Sequence, residues 1–96
     1  MSIRENEKIF ELVRYILSVN RRVFVVKEFE HRPLLQASDI AEDFERSLQN
    51  ISRALKELEK KEIVACITPQ KRTWKRYILT ETGKQVLSAL KKQNLL

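Results

Sequence analysis

Apolar residues recur every three or four positions over most of the chain, a spacing that predicts a mainly helical protein. Between Glu5 and Val19 they form two neighbouring rows, so we expect a first helix that meets apolar neighbours on two sides. One row is Ile9, Leu12, Ile16 and Val19, and the other is Phe10, Val13 and Leu17. Asn20 follows as a possible end of this helix or as the N-cap of the next.

The segment from Arg21 to Pro33 is compatible with two structures. Residues 23–26 are β-branched or aromatic and favour a strand by local propensity. The apolar spacing and the proline at its end favour a helix. We expect a helix over Arg21–Glu30, for a reason of topology given below, followed by a short extended piece over Leu34–Gln36.

Two further helices are predicted in the middle of the chain. Ala37–Phe44 opens with Ser38, a residue type typical of a helix start. After a short break over Glu45–Ser47, Ser47 is a natural N-cap for a helix over Leu48–Lys61. Around Ile51, the apolar face of this second helix collects Leu48, Ala54, Leu55 and Leu58. Its opposite face carries Gln49, Arg53, Lys56 and Lys60, and the flanks carry Asn50, Ser52 and Glu57.

The last third of the chain predicts a hairpin and one more helix. Glu62–Thr68 and Lys75–Thr80 are predicted strands, with Pro69–Trp74 as the tip between them. Alternation along the second strand turns Tyr77 and Leu79 towards the core. Thr80 then caps a final helix, whose apolar stripe is Val86, Leu87 and Leu90.

The composition indicates one soluble, globular domain with a basic bias. Of 96 residues, 33% are charged and 43% are hydrophobic, and the formal net charge is +6. The charge is unevenly distributed along the chain. The positive and negative charges of residues 1–20 cancel, residues 37–47 carry an acidic excess, and Gln70–Arg76 holds four basic residues and no acidic one. A basic stretch at a hairpin tip makes an anionic partner plausible.

The residue types exclude several classes of function. The single cysteine, Cys66, cannot form an intramolecular disulfide, and with one histidine, His31, the chain has no metal-site spacing. Cys66 fits a small buried hydrophobe better than a redox sensor, because "VACIT" contains no base. No paired carboxylates, glycine-rich phosphate loop or nucleophile with a nearby base indicates an enzyme or a cofactor. The chain has no membrane-span-length apolar run and no signal-peptide pattern in "MSIRENEKIF", so we expect a cytoplasmic protein.

The outward face of the Leu48–Lys61 helix suggests a use. It carries Gln, Asn, Ser and Arg in its first turns and lysines further along. In a helix lying in the DNA major groove, residues of the first turns contact base edges and later bases contact phosphate. The alternative is an ordinary solvated face.

The same stretch resembles a known family. "ASDIAEDFERSLQNISRALKELEKKEIV" is similar to the two-helix core of winged helix-turn-helix proteins, and its second half to the recognition helix of MarR-like transcriptional regulators of small prokaryotic or archaeal type. "ACITPQKRTWKRYILTETGKQVL" resembles the wing hairpin and the start of the next helix. The resemblance covers roughly Arg21 to Leu90, and in that topology a helix precedes the pair. Glu45 and Glu62 stand where glycine is usual, and the D-x-R wing pattern is absent, so the resemblance indicates the superfamily rather than a subfamily.

The resemblance implies a fold and a set of contacts. The fold would be mainly α with a small β-hairpin (α+β), a winged helix over 21–80 with its wing at 69–75, and extra helices at 1–20 and 81–96, all in one domain. Bases would be contacted by Gln49, Asn50, Ser52 and Arg53. Phosphates or the minor groove would be contacted by Ser47, Lys56, Lys60, Lys71, Arg72 and Lys75. Trp74 fits a prop for the wing better than a stacking residue.

Regulators of this kind usually form two-fold dimers through helices outside the DNA-contacting core. The expected interface comprises Ile9, Phe10, Val13, Leu17, Val86, Leu87 and Leu90, with Leu95 and Leu96 as an extension. The alternative is that both helices only cover one small core. Two other functions stay open: a sequence-neutral architectural binder of DNA or RNA, and a winged-helix module that binds protein. No effector pocket can be predicted.

Overall fold

The structure, a computed structural model, describes residues 3–44, 47–72 and 75–93. Within these ranges, five helices and three strands follow one another in the predicted order, which confirms the predicted fold class. They are α1 (Ile3–Leu17), α2 (Asn20–Glu28), β1 (Leu35–Gln36), α3 (Ala37–Phe44), α4 (Leu48–Lys60), β2 (Val64–Cys66), β3 (Arg76–Leu79) and α5 (Glu81–Lys92). The two hairpin strands are shorter than the sequence predicted, because ladder pairing covers only these residues.

The three strands form one antiparallel sheet in the order β1-β3-β2. Tyr77 lies at its centre, opposite Leu35 on one side and Cys66 on the other. Tyr77 is 5% exposed, whereas its neighbours Arg76 and Ile78 are exposed, as the alternation predicts. The sheet therefore closes one end of the core with its inner face and leaves the hairpin projecting from the helices.

The helices enclose a single core of aliphatic side chains. α1 packs against α2 and α5, while α4 packs against α2 and α3. The largest fully buried side chains come from every helix and from the strands: Ile16, Val25, Val26, Leu35, Ile40, Ile51, Leu55, Leu58, Ile63, Val64, Val86 and Leu90. Each such side chain contributes roughly 1.5–3 kcal/mol by leaving water. The apolar face of α4 thus fixes the direction of its polar face.

Burial explains why residues 20–28 are helical despite their strand propensity. Val25 and Val26 are both fully buried, and α2 lies along α4. Tertiary packing outweighs a propensity difference of about 1 kcal/mol or less per residue. The predicted N-cap is wrong in detail: Val19 occupies the cap position without a side-chain hydrogen bond, and Asn20 is the first helical residue.

A cluster of charged and aromatic side chains ties α4 to α1 and α2. Arg21 and Arg22 donate hydrogen bonds to the Glu57 carboxylate over 2.8 and 2.9 Å. Arg22 also stacks 3.8 Å from the centre of the Tyr15 ring. The Tyr15 hydroxyl donates to the carbonyl of Glu57 at 3.3 Å. This cluster holds one flank of α4 against the helices behind it.

The C-terminal end of α4 is a Schellman motif built without glycine. The Ile63 N–H donates to the Leu58 carbonyl at 2.9 Å, and the Glu62 N–H donates to the Glu59 carbonyl at 2.9 Å. Glu62 has φ 59°, the left-handed region, which is the position where glycine is usual. The burial of both Ile63 and Leu58 anchors this reversal into β2.

The start of α5 packs onto that same reversal. The Thr80 hydroxyl accepts a hydrogen bond from the Gly83 N–H at 2.9 Å, which confirms the predicted cap. The Thr80 N–H in turn donates to the Ile63 carbonyl at 3.1 Å. A Cβ on Gly83 would overlap that carbonyl oxygen, so only glycine allows the approach. The Thr-x-x-Gly spacing therefore serves both the cap and the contact.

Several expectations need correction or lie outside the described residues. Leu48 was expected on the apolar face of α4, but its side chain is 52% exposed, because no residue that the structure describes covers it fully. Cys66 is half-buried, with Sγ 4.0 Å from the Thr68 hydroxyl, rather than fully buried. The expectations for Trp74, for Leu95 and Leu96, and for the break at 45–46 concern residues outside the described ranges.

Candidate nucleic-acid interface

The polar face of α4 is turned away from the core over its whole length. Ser47 caps the helix, with its hydroxyl accepting from the Asn50 N–H at 3.4 Å. Most of the α4 side chains expected to contact nucleic acid are exposed, namely Gln49, Asn50, Arg53, Lys56 and Lys60. Ser52 is half-buried. A capped helix start also presents the positive end of the helix dipole. α4 therefore offers hydrogen-bonding groups first and positive charge further along.

The described residues of the wing, 69–72 and 75, lie beyond the end of a short ladder between β2 and β3. The Ile67 N–H donates to the Arg76 carbonyl at 2.9 Å, and the Arg76 N–H donates to the Thr68 hydroxyl at 3.0 Å. Beyond this ladder, Lys71 and Arg72 are exposed and Lys75 is half-buried. The hairpin thus projects a basic tip away from the core.

The wing and α4 face each other across a groove of about 860 Å³, which we call the α4–wing groove. Residues of α4, the wing, β3, α3 and β1 line it. α4 contributes Leu48, Ser52 and Lys56; the wing and β3 contribute Arg72, Lys75 and Arg76; and α3 contributes Ser38, Asp39 and Glu42. Of the residues expected to contact nucleic acid, Ser52, Lys56, Arg72 and Lys75 therefore meet here. Gln49, Asn50, Arg53, Lys60 and Lys71 lie outside the groove on exposed surface.

The charges of this groove are divided between its walls. Lys56 and Arg72 form no ion pair with any residue that the structure describes. α3 forms an acidic wall of the same groove with Asp39 and Glu42. The acidic excess of residues 37–47 was visible in the sequence, but the presence of Asp39 and Glu42 in the same groove as the wing was not.

A second surface lies on α1 and α5, away from the groove. Phe10 is 51% exposed and separates two shallow depressions, both of which it lines. Acidic Glu7 and Glu11, together with Arg14, line one depression, and Lys84 and Lys92 line the other. We call this the Phe10 surface; Leu17, 39% exposed, continues it.

The other residues expected at a dimer interface are mostly inside the protomer. Val86 and Leu90 are fully buried, Val13 is 4% exposed and Ile9 is 9% exposed. Leu87 is half-buried. The apolar rows of α1 thus divide: Ile9, Leu12, Val13 and Ile16 fill the core, while Phe10 and Leu17 remain on the surface.

Metal-binding and membrane features can be stated for the part of the chain that the structure describes. There, no three histidine, cysteine, aspartate or glutamate side chains converge on a possible metal site. Within the same ranges, no helix has the length and apolar character needed to cross a bilayer.

Comparison with known proteins identifies the fold. No family model matches the chain, and no curated protein sequence matches it. Among solved structures, a MarR family transcription regulator superimposes with a TM-score of 0.67 at 23% identity, over 80% of this chain and 51% of that one. The transcriptional regulator SlyA gives 0.68 at 23% identity, over 95% and 64%. This chain thus spans only about half to two thirds of these two structures.

A third solved structure is similar over nearly its whole length. TubR from Bacillus thuringiensis serovar israelensis, bound to 24 base pairs of tubC, gives a TM-score of 0.73 at 16% identity, over 88% of this chain and 94% of that one. Together these likenesses show that the chain has the winged-helix fold of MarR-like regulators.

Proposed function

We propose that the chain is a sequence-specific, double-stranded-DNA-binding transcriptional regulator that acts as a homodimer. α4 lies in the major groove as the recognition helix, and the basic wing contacts the adjacent backbone or minor groove. The observation that carries this proposal is the α4–wing groove, where Ser52 and Lys56 of α4 meet Arg72 and Lys75 of the wing. The DNA-bound TubR structure, which has the same fold, supports it.

The shape of the groove suits one DNA strand. If a helix occupies a major groove and a hairpin the neighbouring minor groove, the sugar-phosphate strand that separates these two grooves must pass between helix and hairpin. Lys56, Arg72 and Lys75 then lie beside phosphates, where each neutralised phosphate releases counterions. Ser47, Lys60 and Lys71 extend the backbone contacts on either side.

Base contacts fall to the exposed first turns of α4. Arg53 suits the O6 and N7 atoms of guanine, and Gln49 and Asn50 suit the N6 and N7 atoms of adenine. Ser52, at the rim of the groove, can donate or accept. In this proposal the protein acts by occupancy: bound near a promoter in the cytoplasm, it blocks or recruits the transcription machinery.

The Phe10 surface supports a homodimer. A two-fold axis close to Phe10 sets each copy's acidic depression against the other's basic one, so Glu7 and Glu11 would face Lys84 and Lys92. Phe10 and Leu17 would supply the apolar contact. Such a dimer places two recognition helices roughly 34–36 Å apart, in successive major grooves of a pseudo-palindromic site.

In vitro selection of DNA sequences that bind the protein tests the proposal. We would pass a random-sequence duplex pool over the purified protein, and then titrate the recovered and the random duplexes by fluorescence anisotropy at several salt concentrations. We expect steeply salt-dependent binding to both, and at least about a thousandfold tighter binding to a recovered pseudo-palindrome. Salt-dependent binding without enrichment would indicate an architectural protein. No binding at low salt would indicate a protein-binding module.

A further inference from the structure

Leu48 is an apolar residue on the exposed side of α4 that lines the α4–wing groove. It is the first residue of α4, directly after the Ser47 cap, and its side chain is 52% exposed. It lines the α4–wing groove with Ser52 and Lys56, which lie four and eight positions further along the same side of the helix. Leu55 also lines that wall but is fully buried, so Leu48 is the exposed apolar side chain that α4 contributes to the groove.

The remaining exposed large apolar side chains of the described residues lie elsewhere. Phe10 and Leu17 belong to the α1 surface, while Ile67 and Ile78 lie on the hairpin and do not line the groove. Leu34 precedes β1 and is also absent from the groove. Of these exposed apolar side chains, Leu48 is therefore the one that the proposed docking would place against the bases.

We infer that Leu48 contacts the C5-methyl group of a thymine and so reads one T·A pair. This inference rests on the proposed function, in which α4 enters the major groove with its first turn nearest the bases. Thymine alone among the four bases presents a methyl group there, and an apolar side chain distinguishes it by contact. Polar neighbours such as Ser52 cannot make this distinction, because thymine O4 and guanine O6 are both acceptors.

The position of Leu48 in the groove fits the position of that methyl group. The thymine methyl lies at the edge of the major groove, close to the backbone of its own strand. Leu48 lies on the side of α4 that faces the wing, where that backbone is proposed to run. A residue at the centre of the outward face, such as Arg53, points to the middle of the base pairs instead.

The test removes the methyl group and the side chain separately. Taking the pseudo-palindromic duplex recovered by selection, we would replace each symmetry-related pair of thymines by deoxyuridine in turn and measure Kd by anisotropy. We expect one thymine position where deoxyuridine weakens wild-type binding about three- to tenfold. Leu48→Ala should bind the thymine duplex more weakly by a similar factor and should no longer distinguish deoxyuridine at that position.

Ile67→Ala is the matched control, because Ile67 is 48% exposed and lies outside the groove. It should keep the preference for thymine. Wild-type binding that is unaffected by deoxyuridine at every position, or a preference that persists in Leu48→Ala, would overturn the inference and leave the proposed function intact. A pool that yields no enriched sequence would overturn the proposed function and the inference with it. Circular dichroism melting of both variants checks that each is folded.

Discussion

Glu62 adopts a backbone conformation that glycine adopts without cost. Its φ of 59° closes the Schellman motif after α4, and a residue with a Cβ in this region is disfavoured by roughly 1–2 kcal/mol. Glycine would remove that strain but add freedom to the unfolded chain. We therefore expect Glu62→Gly to raise the free energy of unfolding by about 0.5–1 kcal/mol, measured by urea denaturation.

The control for that substitution is Glu59→Gly, one turn earlier in α4. Glu59 is also exposed but lies within the helix, where glycine should lower the free energy of unfolding by about 1 kcal/mol. A loss of stability in Glu62→Gly as well would contradict the strain argument. It would show instead that the Glu62 side chain stabilises the reversal.

Glu57 is a carboxylate whose ionised form stabilises the fold. Hydrogen bonds from Arg22 and Arg21 lower the pKa of its carboxyl to about 2, from an ordinary value of 4.5. Because the folded-state pKa is lowered, the contribution is complete above about pH 4.5 and is lost as the pH falls towards 2. We expect Glu57→Gln to cost about 1 kcal/mol at pH 7, a value kept small because the side chains are partly exposed.

Chemical denaturation of wild type and Glu57→Gln between pH 7 and pH 2 measures this contribution. The difference between the two proteins should shrink across the acid range and disappear near pH 2. A difference that stays constant with pH would contradict an ionic origin. It would then reflect the loss of packing or of neutral hydrogen bonds only.

At the level of elements, local signals predicted most of the fold. α4 and α5 were predicted with their caps because Ser47 and Thr80 act on backbone groups three residues away. The lengths of β2 and β3 were not predicted correctly, since strand ends depend on cross-strand pairing. The exposure of Leu48 was not predicted either. Helical periodicity places Leu48 at the edge of the apolar face but does not show whether a neighbour covers it.

The candidate site was predictable only in part for the same reason. The polar face of α4 and the basic wing were visible as local patterns, and the contacts implied for them came from the resemblance. That Ser52 and Lys56 share a groove with Arg72 and Lys75 depends on how the hairpin folds back, which no local pattern specifies. The Glu57 cluster joins residues 35 and 36 positions apart and was missed for that reason.

The acidic wall of α3 should limit the affinity for DNA. Glu42 is exposed in the α4–wing groove, where a phosphate strand is proposed to lie. Removing one negative charge there should tighten duplex binding about two- to fivefold for Glu42→Gln at low salt, and less as salt screens the repulsion. Anisotropy titrations with random duplex at two salt concentrations measure the change.

Glu81→Gln is the control variant for Glu42→Gln. Glu81 is exposed at the start of α5 and does not line the groove, so the net charge changes equally but at a different place. An equal gain of affinity in both variants would show that only the total charge matters. That result would contradict the placement of the DNA strand in the groove.

At the scale of the whole molecule, the proposed dimer determines how much DNA is contacted. Phe10→Glu places a charge at the centre of the Phe10 surface, while the side chain is exposed enough for the protomer to fold. We expect wild type to sediment as a dimer and this variant to sediment as a monomer. Because one half-site is lost, binding to the recovered palindrome should fall at least about tenfold.

Leu34→Glu is the matched control, since Leu34 is 40% exposed and lies outside the Phe10 surface. It should remain dimeric and bind the palindrome as wild type does. A wild-type protein that is monomeric both free and on the duplex would contradict the dimer. The sequence-reading role of α4 would then have to be carried by one protomer.

The most direct test of the central claim separates base contacts from backbone contacts in two variants. Kd would be measured for the recovered and the random duplex with Arg53→Ala, on α4, and with Lys71→Ala, on the wing. If Arg53 contacts a guanine, its loss should remove about 1–3 kcal/mol of discrimination between the two duplexes. Lys71→Ala should weaken both duplexes alike and reduce the salt slope by about one. Equal weakening of both duplexes by Arg53→Ala would contradict the assignment of α4 as the sequence-reading element.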